Sequence, residues 1–155
     1  MTQEDKELLL QDLCCRLPYG VKLKITLDLS YDTCYDSVEQ SCTFNATLYS
    51  INIDGEPNDI LIHHDNEDTA IFLNEKFQEC PIILEDWIPY LRPMSSMTED
   101  EYKEYRGTFA ELPHEEYLLK TTRTTDWLNK NMFDYRGLIK KGLALEAPEG
   151  MYKIG

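Results

Sequence analysis

Between Leu10 and Leu29 the apolar residues change their period, and the change falls across a single Pro and a single Gly. Leu10, Leu13, Cys14 and Leu17 recur at i, i+3, i+4 and i+7, which puts them on one face of a helix, and Thr2 with Asp5 forms a capping pair at its start. Pro18 has no amide hydrogen for a continuing helix and disfavours helical geometry at Leu17, while Gly20 can take the turn that follows. The helix is therefore expected to end near Arg16. From Val21 the period is two, with Val21, Leu23, Ile25, Leu27 and Leu29 on one face and Lys22, Lys24, Thr26 and Asp28 on the other, the pattern of a strand with one wet face. The helix stripe and the strand face each need an apolar cover, and one layer packed on the other gives both.

The next segments extend the same reading. After a polar connection from Asp32 to Ser41, the Thr-, Tyr- and Ile-rich run from Thr43 to Ile53 ends at the turn residues Asp54, Gly55, Glu56 and Pro57. Asp59 to His64 and Thr69 to Leu73 are two short apolar runs joined by Asp65, Asn66, Glu67 and Asp68, and Pro81 to Leu84 can add an edge strand. Connections this short leave no room for crossover helices, so these runs predict an antiparallel meander of four or five strands. Pro81, Pro89, Pro93 and Pro113 break the second half of the chain into short pieces. Thr98 and Glu101 form a capping box, Met97 and Tyr102 a staple, and Gly107 a left-handed stop, which predicts a helix from Glu99 to about Arg106. Asp134 caps a second helix that carries Lys140 and Lys141 in its last turn before Gly142, and Thr125 to Asn129 is a further short helix. The expected architecture is α+β: an N-terminal helix packed on the meander, with short C-terminal helices, in a single domain over residues 1–155.

Composition narrows the function classes. The chain has 155 residues and 29 Asp and Glu against 15 Lys and Arg, a formal net charge of −14. That counts against direct nucleic-acid binding by phosphate attraction and against attachment to an anionic membrane surface. No apolar run is long enough to cross a bilayer core of about 30 Å. The N-terminus has neither a basic signal-peptide start nor an Arg-rich transit pattern, and the five Cys (Cys14, Cys15, Cys34, Cys42, Cys80) are odd in number and irregular in spacing. A cytoplasmic location is the expectation, and the sequon at Asn45 is then without consequence.

No motif for catalysis or a cofactor is written in the chain. His63 and Asp65 could share an ion on a strand, but no third ligand is set by local spacing, so no metal is expected. Cys14 and Cys15 diverge by about 100 degrees on a helix, which leaves Cys14 as a buried thiol on the apolar stripe. Cys80, His114 and Asp126 supply the residue types of a nucleophilic set without a local signature, and neither GxxxxGK[ST] nor GxGxxG occurs.

Charge and aromatic placement say more. From Lys120 to Lys141 six basic residues stand against Asp126 and Asp134, a local +4 that leaves −18 on the remainder. The acidic residues gather in Asp54 to Asp68 and in Glu99 to Glu116. Trp87, Tyr90, Trp127, Phe133 and Tyr135 all lie in the second half of the chain, several near Arg92, Arg123 or Arg136. Aromatics with Arg are the composition of a binding hot spot, so Trp87, Tyr90, Arg92, Trp127, Tyr135 and Arg136 are the expected contact residues for an unknown protein partner.

Three stretches, KELLLQDLCCRLPYGVK from Lys6, PYLRPMSSMTEDE from Pro89 and DWLNKNMFDYRGLIKKGLALEAPEGMYK from Asp126, resemble a family of small uncharacterised proteins of gut Bacteroidales and their phages and mobile elements. The resemblance covers the two ends and about a third of the chain, and does not reach the stretch between Lys24 and Trp87. It implies a bacterial or phage cytoplasmic setting. The family has no assigned activity, so no catalytic or cofactor residue comes with it. The sequence thus favours a non-enzymatic accessory protein that binds another macromolecule. An enzyme of unrecognised type is one alternative, and an acidic nucleic-acid mimic that inhibits a DNA-acting enzyme is another.

Overall fold

A computed structural model describes residues 1–28, 41–51, 60–64, 87–110 and 116–152. It is α+β, and the chain divides into two compact units, Met1–Tyr90 and Leu91–Gly155.

In the N-terminal unit, helix α1 spans Gln3–Arg16. Its start is a complete capping box: Thr2 Oγ1 accepts from the Asp5 amide at 3.1 Å, and the Asp5 carboxylate accepts from the Thr2 amide at 3.3 Å. A 3-10 turn over Leu17–Tyr19 follows, and Gly20 takes the left-handed conformation (φ +69°) that a side chain would resist. The buried face of α1 is not the expected one. It consists of Leu9, Asp12, Leu13 and Arg16, while Leu10, Cys14 and Leu17 are half-buried. The cause is a polar pair on the inner face. Arg16 Nε and Nη2 donate to the Asp12 carboxylate at 2.7 and 3.1 Å, and both side chains are fully enclosed. Paired in this way, two charged residues can occupy positions that an apolar stripe would otherwise claim. Burial and the neighbouring Cys15 raise the Cys14 thiol above its ordinary value.

Strands β1 (Lys22–Asp28), β2 (Ser41–Ile51), β3 (Ile60–His64) and β4 (Trp87–Leu91) follow, in the order β3-β2-β1-β4. Val21, Leu23 and Ile25 have no exposure, Lys22 and Lys24 are half-buried and Thr26 is exposed, as period two requires. Ala46 and Leu48 of β2 join that core. The pairs β1–β2, β2–β3 and β1–β4 are antiparallel, with Leu23 opposite both Ala46 and Pro89.

The expected meander is met only over β1 to β3. β4 returns beside β1, and Arg92, directly after it, makes a parallel bridge with Phe133, so the pairing is not antiparallel throughout. β4 is a strand the sequence reading missed, because Pro89 hides its alternation: Trp87, Pro89 and Leu91 are buried and Ile88 and Tyr90 half-buried. Several expected features lie outside the described residues: the Asp32 connection, the Asp54–Pro57 turn, the runs Thr69–Leu73 and Pro81–Leu84, Cys34, Cys80 and His114.

The C-terminal unit contains a 3-10 turn at Met94–Ser96, helices α2 (Glu99–Ala110) and α3 (Tyr117–Lys130), and the two-residue β5 (Leu145–Glu146). The Thr98–Glu101 box starts α2 as expected, but Gly107 does not stop it. A Cβ at Gly107 would meet nothing within 4 Å, and the helix runs on to Ala110. The short helix expected at Thr125–Asn129 is the end of the longer α3. The helix expected after Asp134 is a turn instead. Gly137 stands at φ +75°, which breaks regular helix geometry, and the Asp134 carboxylate reaches past it to accept from the amides of Leu138 and Ile139 at 2.8 and 2.9 Å. Gly142, at φ +74°, closes that turn by donating its amide to Ile139 O at 3.0 Å. Leu128, Met132, Phe133, Leu138, Leu143 and Ala144 form the core of this unit. No helix among the described residues is long and apolar enough to cross a membrane.

Candidate functional site

The C-terminal unit is organised around Arg92. Its amide donates to Met132 O at 2.8 Å and its carbonyl accepts from the Asp134 amide at 2.7 Å, so the backbone on either side of Phe133 is fixed to it. Its guanidinium forks onto Glu101, Nη1 to Oε1 at 2.7 Å and Nη2 to Oε2 at 3.0 Å. Glu101 also completes the cap of α2: Oε2 accepts from the Thr98 amide at 2.8 Å, and the Glu101 amide donates to Thr98 Oγ1 at 3.2 Å. The Arg92 hydrogen bonds hold the Glu101 carboxyl below its ordinary value, against the opposing effect of burial. One charged pair thus joins the end of β4, the Phe133 segment and the first turn of α2.

The same guanidinium lies 4.3 Å from the centroid of the Phe133 ring and begins a run of ring contacts. Phe133 stacks on Trp127 of α3 (5.6 Å, 13° between planes), and Trp127 meets Tyr105 of α2 at 5.8 Å. Tyr105 touches Phe109 edge-on at 5.4 Å and Tyr102 at 6.4 Å. Trp127 Nε1 donates to Glu104 Oε2 at 3.4 Å, and Thr108 and Thr124 hydroxyls meet at 2.8 Å. These pairings make α2 and α3 an antiparallel hairpin, locked at one end by Arg92 and the buried Phe133.

Exposure rises along the run. Phe133 is fully buried and Trp127 and Tyr105 half-buried, but Tyr102 is 52% and Phe109 39% exposed. Towards the end of the hairpin marked by Phe109, α3 begins with Tyr117, Leu118 and Leu119, which are 65%, 82% and 44% exposed. Three consecutive residues spread over about 200 degrees of a helix, so no single neighbour within the chain could cover all three.

Of the expected contact residues, Trp87 is 1% exposed and belongs to the core of the N-terminal unit. Tyr90, in the same unit, is half-buried and donates its hydroxyl to Asn45 Oδ1 at 3.1 Å. Arg92 and Trp127 are brought together through Phe133. Tyr135 and Arg136 form their own local pair, with Arg136 Nε donating to Tyr135 Oη at 3.2 Å and the guanidinium 5.2 Å from the ring centroid. Tyr102, Phe109, Tyr117, Leu118 and Leu119, exposed on the hairpin, were not among the expected contact residues. The Tyr-Leu-Leu run was the available signal, since a helix cannot bury three adjacent apolar residues on one face.

Beside the Arg92 clamp is a cleft of about 380 Å³, lined among others by Arg92, Ser96, Thr98, Glu146, Glu149 and Tyr152. Its lining has no Cys or His. Among the described residues no three His, Cys, Asp or Glu converge as a metal site. His63 and His64 stand in β3 opposite Thr47 and Ala46, and Asp65 lies outside the described residues. Of the two acidic segments, Asp54 to Asp68 has all its carboxylates outside the described residues. In the other, Glu101 is tied to Arg92 and Asp100 to Lys103 at 2.9 Å.

The chain matches no protein-family model, no curated protein and no solved structure.

Proposed function

We propose that this chain is a non-enzymatic accessory protein that acts by binding another protein, and that the α2–α3 hairpin is its contact surface. The observation that carries this reading is the exposure of five large apolar side chains, Tyr102, Phe109, Tyr117, Leu118 and Leu119, on the two helices of one hairpin. Exposed apolar and aromatic side chains in this number on two paired helices offer a partner area to bury. The base of the hairpin is rigid, because Arg92, Glu101, Phe133 and Trp127 hold it through charge-assisted hydrogen bonds and ring stacking. A rigid base lowers the ordering cost of binding. The net charge of −14 directs the reading towards a protein rather than a nucleic acid. A bacterial or phage cytoplasmic setting rests on the sequence resemblance.

The test is capture of a binding partner from a bacterial extract by the immobilised full chain, compared with Leu118→Ser/Leu119→Ser. Both residues are exposed, so the variant keeps the wild-type melting curve while capture falls about tenfold or more. Undiminished capture by a folded variant refutes the assignment of the surface.

A further inference from the structure

Building on the reading of the hairpin as a contact surface, we infer that the partner covering it is a second copy of this chain, paired through a twofold axis that sets α2 of each copy against α3 of the other. The two helices differ in sign. At its surface α2 carries Glu99, Asp100 and Glu104 against Lys103 and Arg106, Glu101 being buried on Arg92, whereas α3 carries Lys120, Arg123 and Lys130 against Asp126. Arg123 and Lys130 are exposed, as are Glu99, Asp100 and Glu104. A partner for the whole hairpin must bring basic charge to α2, acidic charge to α3 and apolar side chains to both. The hairpin itself, turned through a twofold axis, meets all three requirements.

Within each copy α2 already lies against α3, so two hairpins placed side by side form a ring of four helices with alternating charge. Every helix then has neighbours of opposite sign. The apolar residues fit the same arrangement. Tyr102, Tyr105 and Phe109 recur at i, i+3 and i+7 along α2, and their rings touch one another, which makes a stripe one helix long. Leu118 and Leu119 supply aliphatic side chains from α3. A lipid surface would not answer to this pattern, because the acidic residues of α2 repel anionic headgroups.

Charge reversal tests the pairing in the full chain. One variant carries Glu99→Lys and Asp100→Lys on α2, the other Arg123→Glu and Lys130→Glu on α3. The positions are exposed, and circular dichroism melts confirm that each variant is folded. Sedimentation equilibrium is expected to give the wild type twice the chain mass of 18.2 kDa. Each variant alone should dissociate about tenfold or more readily, because like charges then face each other across the axis. Mixed in equal amounts, the two variants should restore the dimer, since the reversed α2 of one meets the reversed α3 of the other. Added salt should weaken the wild-type dimer.

A wild type that stays monomeric up to about 100 μM overturns the second-copy assignment, as does a dimer that neither reversal affects or a mixture that fails to reassociate. A monomeric wild type that loses extract capture in Leu118→Ser/Leu119→Ser overturns this inference and leaves the contact surface standing. Monomeric behaviour with capture unchanged overturns both.

Discussion

Among the described residues each unit holds an enclosed or nearly enclosed Arg–carboxylate pair, and the two pairs span the chain differently. Asp12 and Arg16 lie four residues apart on α1 with no exposure, so their bond ties one turn of a helix to itself. Arg92 and Glu101 lie nine residues apart, with side-chain exposures of 13% and 5%, and their bond ties a strand end to a helix start. In the first pair each charge offsets the burial of the other on the inner face of α1. The second holds elements in place, because the same guanidinium is also packed on Phe133 and the same carboxylate caps α2. Both pairs are enclosed; they differ in how far apart along the chain the bonded residues stand.

Removing one partner in the N-terminal unit gives the largest expected effect. Asp12→Ala deprives the enclosed guanidinium of its carboxylate and should cost about 3–5 kcal/mol in urea unfolding. A loss well below that would show that the Asp12 carboxylate is not what offsets the burial of the Arg16 guanidinium.

The matching change in the C-terminal unit, Glu101→Ala, removes a forked hydrogen bond and a helix cap together and should cost about 2–3 kcal/mol. Here Arg92→Met should not rescue, since the cap of α2 and the stacking on Phe133 are separate losses. This pair also gives a pH signature. Because the folded-state value of Glu101 is held down, its contribution is fully present above the ordinary glutamate value of about 4.3 and is lost as the pH falls through the lower folded value. Thermal melts on the acid side should therefore fall more steeply for wild type than for Glu101→Gln, and equal slopes would contradict the assigned role.

Two glycines sharpen the comparison at smaller scale, since the C-terminal unit depends on local geometry. Gly142→Ala forces a side chain into a left-handed conformation at φ +74° and should cost about 1–2 kcal/mol. Gly107→Ala lies inside α2 with open space around its Cβ and should stabilise by about 1 kcal/mol. Denaturant midpoints with unchanged slopes check both.

The legibility of the sequence followed the range of the interactions. The Thr2 and Thr98 capping boxes, the stop after Arg16 and the alternation of Val21, Leu23 and Ile25 could be read because each depends on residues a few positions apart. Gly107 misled because a glycine stops a helix only where the backbone turns left-handed, and the packing of α2 on α3 carries the helix past it. Composition singles out Arg92 and Trp127. Their joining through Phe133, and the exposure of Leu118, were not readable, since both depend on where α2 and α3 come to lie.

By itself the sequence determined the α+β class, the position of α1, the period of β1 and the excess of acidic charge, because propensity, capping and alternation act within one or two turns of chain. Only the tertiary structure decided that Asp12 and Arg16 would occupy the inner face of α1, that β4 would return beside β1, and that Trp87 would be enclosed while Leu118 stayed in water. Burial depends on which distant segments meet, and no local pattern in the chain carries that information.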